Sequence, residues 1–210
     1  MRVIAGAFKG RRLVAPKGNR IVRPTTDRVK ESVFSILREQ VINANFLDLC
    51  AGTGSMGIEA LSRGAKQVTF LERDPRCIRV IEQNLRACGL PIESHTKHLV
   101  ANRMPAVRTC LLRRDALKGI SYLQKQAAVF EIIYFDPPYG TSAGGSTELY
   151  TTCLALLSEN ALLSPDGTLL VEHAKRSVIP DRIRGLARDR IVGYGDTVVS
   201  FYRKDEIWKF

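Results

Sequence analysis

Two short stretches of this 210-residue chain combine residue types that can bind and transform a small molecule. The first runs Asp48-Leu-Cys-Ala-Gly52-Thr-Gly54-Ser-Met-Gly57, with Glu72 twenty residues after Gly52. Glycines spaced G-x-G-x-x-G after a strand let a ligand approach the backbone, and an acid about twenty residues on can accept from ribose hydroxyls. A ligand containing adenosine needs both features. Nicotinamide dinucleotides and S-adenosylmethionine each contain one, and Asp48 separates the two. A carboxylate before the turn repels a pyrophosphate, whereas it suits a ligand carrying an ammonium and a sulfonium. The bland alternative is a glycine turn with a capping acid.

The second stretch is Asp136-Pro137-Pro138-Tyr139, directly after the apolar run Phe130–Phe135. Successive prolines stiffen a turn and remove two backbone donors, which leaves carbonyl acceptors exposed. The Asp136 carboxylate and the Pro137 carbonyl can then hold the two hydrogens of an amine, while Tyr139 offers a flat face to a base. The lone pair of an exocyclic amine is delocalised into its ring and is a poor nucleophile. Acceptors around the NH2 favour a pyramidal nitrogen and stabilise the positive charge that develops during alkylation. In open α/β sheets ligands bind beyond the carboxyl ends of the strands, so both stretches are expected at one crevice. The chemistry this implies is methyl transfer from S-adenosylmethionine to a base amine, leaving S-adenosylhomocysteine. A simple proline turn is the competing reading of the second stretch.

Weaker candidates surround these. Asp115 either accepts from the adenine amine of the donor or caps a helix. Thr25-Thr26-Asp27-Arg28 either positions the donor carboxylate, through Thr26 and Arg28, or caps its helix. The histidines His95, His98 and His173 make no metal pattern and read as surface or loop residues, so no metal is expected. The cysteines Cys50, Cys77, Cys88, Cys110 and Cys153 are odd in number and never spaced C-x-x-C, which fits reduced thiols.

Positioning these groups requires alternating elements. Val3–Ile4 and Leu13–Val14 read as short strands flanking a turn at Lys9-Gly10-Arg11. A helix begins at Thr26 or Asp27 and carries Val29, Val33, Ile36, Leu37 and Val41 on one face. Then come a strand over 45–50, a helix over 56–63, a strand over 67–71, and a helix capped by Asp74 with Pro75 in its first turn. Residues 91–105 are poorly patterned. A strand lies within 107–112, a helix over 115–126, a strand over 130–135, a helix over 147–158 and a strand over 167–172. Gly195-Asp196 joins 190–194 to 197–203 as a hairpin. The alternation predicts an α/β fold with a mostly parallel sheet and an antiparallel C-terminal hairpin.

Composition narrows the class. Apolar residues at 45% and charged residues at 25% are ordinary for a soluble globular protein, and no apolar run nears the ~20 residues of a membrane span. The cytoplasm is the default compartment. The net charge of +11 is unevenly placed: Arg2, Lys9, Arg11, Arg12, Lys17, Arg20 and Arg23 occur before the first acid. A second run holds Lys175, Arg176, Arg182, Arg184, Arg188 and Arg190 against Asp181 and Asp189. Such clusters attract nucleic-acid phosphates, although a merely solvated basic surface has the same composition.

The segments Arg23–Leu37, Leu47–Ala65 and Asp136–Tyr139, with the opening Met1–Leu13, closely resemble the bacterial 16S rRNA guanine-N2 methyltransferase D family. The resemblance implies a Rossmann-like class I methyltransferase with a seven-stranded sheet and an N-terminal β-hairpin extension. It implies that residues 1–24 contact RNA, and that 25–210 form the methyltransferase domain. The substrate would be one guanine of small-subunit rRNA, guanine 966, in the RNA or in an assembling subunit. Carried over by position, Asp48, Ala51, Gly52, Gly54, Glu72 and Arg73 bind the donor, and Asp136 through Tyr139 hold the guanine. The base must leave its stack for the amine to reach a buried methyl. Cys50 departs from the aromatic residue often found there in the family. The molecule is expected to act as a monomer. Rival readings are an adenine-N6 methyltransferase on DNA or RNA, a dinucleotide-dependent oxidoreductase, and a catalytically idle RNA-binding factor.

Overall fold

Runs of apolar residues too short for helices, each ended by a polar or glycine signal, become the strands of this protein. The computed structural model describes residues 1–16, 26–94, 108–137, 145–159 and 161–205. They fall into two compact units, Met1–Asp115 and Ala116–Phe210.

In the first unit, helix α1 (Asp27–Leu37) is capped by Thr26, whose hydroxyl accepts from the Val29 amide at 3.3 Å. It continues as a 3-10 turn over Arg38–Val41. Val29, Val33, Leu37 and Val41 are buried as the periodicity predicts, and Phe34 joins them against Phe46. Ile36 is only half-buried. Strand β1 (Asn45–Leu49) leads into α2 (Ser55–Ser62), β2 (Gln67–Glu72) and α3 (Pro75–Ala87), the last capped by Asp74 with Pro75 in its first turn. The two-residue strand β3 (Glu93–Ser94) and β4 (Arg108–Arg113) complete a parallel run in the order β3-β4-β2-β1.

The second unit begins with α4 (Ala116–Lys125), β5 (Phe130–Phe135) and α5 (Gly145–Glu159). β6 (Leu163–Ala174) pairs parallel with β5. Then follow β7 (Arg182–Ile183), β8 (Leu186–Tyr194) and β9 (Thr197–Lys204). The order is β5-β6-β9-β8-β7, with antiparallel pairing from β6 outward. The C-terminal hairpin turns at Gly195 (φ 65°), as the Gly-Asp pair predicts.

Several expectations need correction. The described residues hold nine strands where seven are expected, because β3 and β7 are two-residue pairings with no periodicity to read. β6 is twice the length of the predicted 167–172 segment. His173 is buried within β6 rather than on the surface. Its Nε2 lies 2.9 Å from the Ser200 hydroxyl and its Nδ1 3.1 Å from the Ala174 carbonyl, and burial lowers its pKa. The expected N-terminal hairpin is present as a short antiparallel pairing, with Arg2 bridged to Arg12, the Val3 amide donating to the Arg11 carbonyl at 3.0 Å and the Leu13 amide to the Met1 carbonyl at 3.1 Å. It stays short because the next amides, those of Ile4 and Ala5, donate to the Glu59 carboxylate instead of an opposite strand. His95, His98, and most of the unpatterned 91–105 stretch lie outside the described residues. No helix among the described residues is long and apolar enough to cross a membrane.

Candidate active site

The glycine turn between β1 and α2 is held at nearly every backbone group. Cys50, Gly52 and Gly54 all have positive φ (71°, 55° and 74°), so the chain reverses sharply without regular hydrogen bonds of its own. The Cys50 and Ala51 amides donate to the Leu71 carbonyl at 3.0 Å, and Gly54 donates to Ala51 at 2.7 Å. The Gly52 amide donates to Glu72 Oε2 at 2.8 Å. Glycine is required at Gly57 for a different reason. A Cβ there would sit 2.3 Å from Phe70 Cε1, so its absence lets α2 lie close on β2.

Both acids named from the sequence sit at this turn. Asp48 is 2% exposed, and its Oδ2 accepts from the Gly57 amide at 2.9 Å. It thereby supplies the first turn of α2 with the cap that Gly54 lacks. Burial pushes its pKa up to about 7, the charge of Glu72 adds to the rise, and the Gly57 hydrogen bond opposes it. Glu72 accepts from Gly52 with one oxygen and from Arg73 and Asp74 amides with the other, at 2.7 and 2.8 Å. Those three bonds leave lone-pair capacity on a carboxylate, which offers about four acceptor positions. The charge of Glu72 beside buried Asp48 raises the cost of ionising Asp48, which makes a turn that favours a cation and disfavours a pyrophosphate.

The register of β2 on β4 aligns Glu72 with Arg113, and Asp115 follows two residues later, half-buried before α4. Asp48, Ala51, Gly52, Gly54, Glu72, Arg73 and Asp115 therefore share the carboxyl ends of β1, β2 and β4 within one unit. Arg73 is exposed. Thr26 spends its hydroxyl on capping α1, and Arg28 is exposed on the first turn of that helix. Among the described residues no three His, Cys, Asp or Glu side chains gather as metal ligands would.

In the second unit Asp136 is half-buried and Pro137 buried at the end of β5. The edge of Tyr150 packs on Phe135 at 5.8 Å and 70°, and its hydroxyl donates to the Glu172 carbonyl at 3.1 Å. The Tyr134 hydroxyl donates to the Glu172 carboxylate. The strand that presents Asp136 is thus fixed from both α5 and β6. Pro138 and Tyr139 lie outside the described residues.

The basic N-terminal arm packs on the glycine-turn helices. Lys9, Arg11 and Arg12 are exposed, and with Ala7, Phe8 and Gly10 they line an open concavity of about 350 Å³. Arg2 is also exposed but pairs with Asp27 at 3.3 Å. Lys17, Arg20 and Arg23 lie outside the described residues. In the second basic run Arg182 and Arg188 pair with Asp205 and Asp181, which spends part of that charge internally.

Four positioning residues escaped the sequence reading. Glu59, wholly buried in α2, accepts from the Ile4 and Ala5 amides at 2.7 and 3.1 Å and from Arg63 at 2.7 Å. Ser62 donates to the Ala5 carbonyl and accepts from the Phe8 amide. Lys30, also buried, donates to the Arg2 carbonyl and lies 4.0 Å from Glu59, with burial lowering its pKa. Asn84 of α3 bonds Val14 and Thr53. A signal was available for two of them. Glu59 interrupts an otherwise apolar helix, and Asn84 falls three residues after Ile81 on the buried face of α3.

The family described as conserved hypothetical protein 95 matches residues 1–203. YlbH of Bacillus subtilis is 35% identical over 97% of this chain and 99% of its own. Ribosomal RNA small subunit methyltransferase D of Haemophilus influenzae is 33% identical over 83% and 79%. Among solved structures, the Escherichia coli protein yhhF is 26% identical with a TM-score of 0.74, covering 98% of both chains. SMU.776, solved with S-adenosylhomocysteine, shares the fold at 13% identity and a TM-score of 0.56, over 80% of this chain and 48% of that one.

Proposed function

The chain belongs to the family described as conserved hypothetical protein 95, and on that premise we propose that it methylates the exocyclic N2 of a guanine in small-subunit ribosomal RNA. It is an RNA methyltransferase of the Rossmann-like class, with S-adenosylmethionine as donor. The single observation that carries the choice of ligand is the paired acids at the glycine turn. The charge of Glu72 raises the cost of charge on buried Asp48, which a sulfonium and an ammonium relieve and a pyrophosphate aggravates.

Asp48, Ala51, Gly52, Gly54, Glu72 and Asp115 are the residues that would hold the donor, with Arg73, Thr26 and Arg28 at its margins. When bound, the donor supplies an electrophilic methyl on a positively charged sulfur. The chain's own part is to orient and stabilise the amine. The Asp136 carboxylate and Pro137 carbonyl accept its two hydrogens and offset the charge that builds on nitrogen. Asp136 takes a proton after transfer, because an ordinary carboxylate is too weak a base to remove one beforehand. Tyr139 stacks on the extruded base, and Pro138 keeps the turn stiff. Alignment of the amine supplies much of the acceleration.

Residues 1–24 serve as an RNA-binding extension on a methyltransferase domain of 25–210, with Lys9, Arg11 and Arg12 as the exposed contacts. Arg2, Lys17, Arg20 and Arg23 are the further RNA contacts expected in the same stretch of sequence.

The deciding experiment incubates small ribosomal subunits from a strain lacking the enzyme with methyl-labelled donor, then identifies the modified nucleoside by mass spectrometry. N2-methylguanosine is expected. N6-methyladenosine would move the substrate to an adenine amine, and no labelled nucleoside would remove the activity.

A further inference from the structure

A glycine-rich turn with three positive-φ residues has many alternative conformations unless something outside it removes them. Four of its amides are held from within the sheet and turn, by Leu71, Glu72 and Ala51. The Thr53 carbonyl is held from elsewhere. Asn84 is 1% exposed, and its Nδ2 donates to Thr53 at 3.0 Å and to the Val14 carbonyl at 3.1 Å, while its Oδ1 accepts from the Val14 amide at 2.8 Å. Both hydrogens of the side-chain amide and its oxygen are therefore engaged. Val14 is gripped at both backbone groups, as a strand neighbour would grip it.

The opposite end of the arm reaches the same residue. The Thr53 hydroxyl lies 3.5 Å from Met1 Sδ, and the Met1 carbonyl accepts from the Leu13 amide. The arm between these points is fixed on α2 by Glu59 and Ser62. Gly6 allows this docking. Its φ is +81°, and a Cβ there would lie 1.8 Å from the Ser62 carbonyl oxygen.

We propose that Asn84 is a positioning residue for the donor site, clamping the Thr53 carbonyl of the glycine turn to the basic arm so that the arm's docking sets donor affinity. This rests on the reading of the glycine turn as the donor site. Preorganising a loop strengthens binding by lowering the ordering cost that the ligand otherwise bears. Coupling between two sites is reciprocal, so whatever fastens the arm tightens the donor site, and bound donor steadies the arm.

The test is calorimetry of S-adenosylhomocysteine binding to the full chain and to Asn84→Asp, each near pH 5 and near pH 8. Aspartate keeps the acceptor for Val14, but presents a second acceptor to two carbonyls. Only its protonated form can donate to one of them. The variant is expected to bind about tenfold more weakly than the parent near pH 8, with the gap closing to about threefold near pH 5. The ratio to the parent cancels titration common to both proteins. A side chain that merely supports the fold would lower the melting temperature and leave affinity at the parental value at both pH values. That result overturns the proposal. Gly6→Ala probes the arm without touching Asn84, and its affinity is expected to fall by about threefold or more. Parental affinity in that variant would remove the arm from the mechanism. Failure of the parent itself to bind the ligand would instead sink the donor-site reading on which the proposal stands.

Discussion

Replacing Asp48 with asparagine tests the electrostatics of the glycine turn most directly. The carboxyl is buried, its pKa is raised from 3.8 to about 7, and the first cause is loss of water. The folded protein therefore holds this proton more tightly than the unfolded chain does. Between the two pKa values stability falls as pH rises, with the penalty absent well below 3.8 and complete above 7. At ~1.36 kcal/mol per pKa unit, the penalty is ~2 kcal/mol at about pH 5 and ~4 kcal/mol at about pH 8. Asparagine retains an oxygen for the Gly57 amide and cannot ionise. Its stability relative to the parent should therefore improve by ~2–3 kcal/mol between those two pH values. Urea unfolding of both proteins at each pH measures this directly. A difference that does not change with pH would show that the carboxyl is already compensated, and the cation-seeking character of the turn would have to be abandoned. In the parent, S-adenosylmethionine affinity should rise from about pH 6 to about pH 8 as Asp48 gives up its proton, and the asparagine variant should lack that slope.

Asp136→Ala should abolish methylation while leaving S-adenosylhomocysteine affinity within about tenfold, or ~1.4 kcal/mol, by calorimetry. Turnover at the parental rate would displace the amine-binding site from this turn. Substituting Lys9, Arg11 and Arg12 together with alanine should reduce the log–log salt slope of RNA binding by about 2 to 3, and an unchanged slope means that the arm makes no phosphate contacts. Burial lowers the His173 pKa, so protonation favours the unfolded chain and stability declines as pH falls below 6.5. His173→Gln should flatten that acid limb in thermal melts, and a limb left intact would trace it to other groups. Gly57→Ala should destabilise the protein by ~1–3 kcal/mol in urea unfolding, because its Cβ would fall 2.3 Å from Phe70.

Much of this architecture was legible in the residues. β5 matches its predicted limits because a buried parallel strand is one unbroken apolar run. The start of α3 was plain in Asp74-Pro75, and the C-terminal turn in Gly195-Asp196. The two-residue strands β3 and β7 offered no period to detect. The N-terminal segment has strand-like composition and pairs as a short hairpin, yet the Ile4 and Ala5 amides answer to Glu59, a partner more than fifty positions away. His173 misled for a related reason. A polar residue near a predicted strand end reads as surface until the strand proves to run two residues past that end and Ser200 arrives beside it from β9. At the candidate site, the residue types of the glycine turn were readable, and Asn84 stood out on a buried helix face, whereas the groups it clamps were not readable. Backbone acceptors such as the Thr53 carbonyl carry no signature in a sequence.

The pairing of Val14 with Asn84 spans 70 positions of chain. Closing so long a loop costs entropy that only the finished first unit can repay, because Asn84 is presented by a helix already packed on the sheet. Docking of the arm is therefore expected to follow the packing of α2 and α3 as the protein folds. A catalyst built this way carries its basic arm on contacts that only its finished first unit can supply.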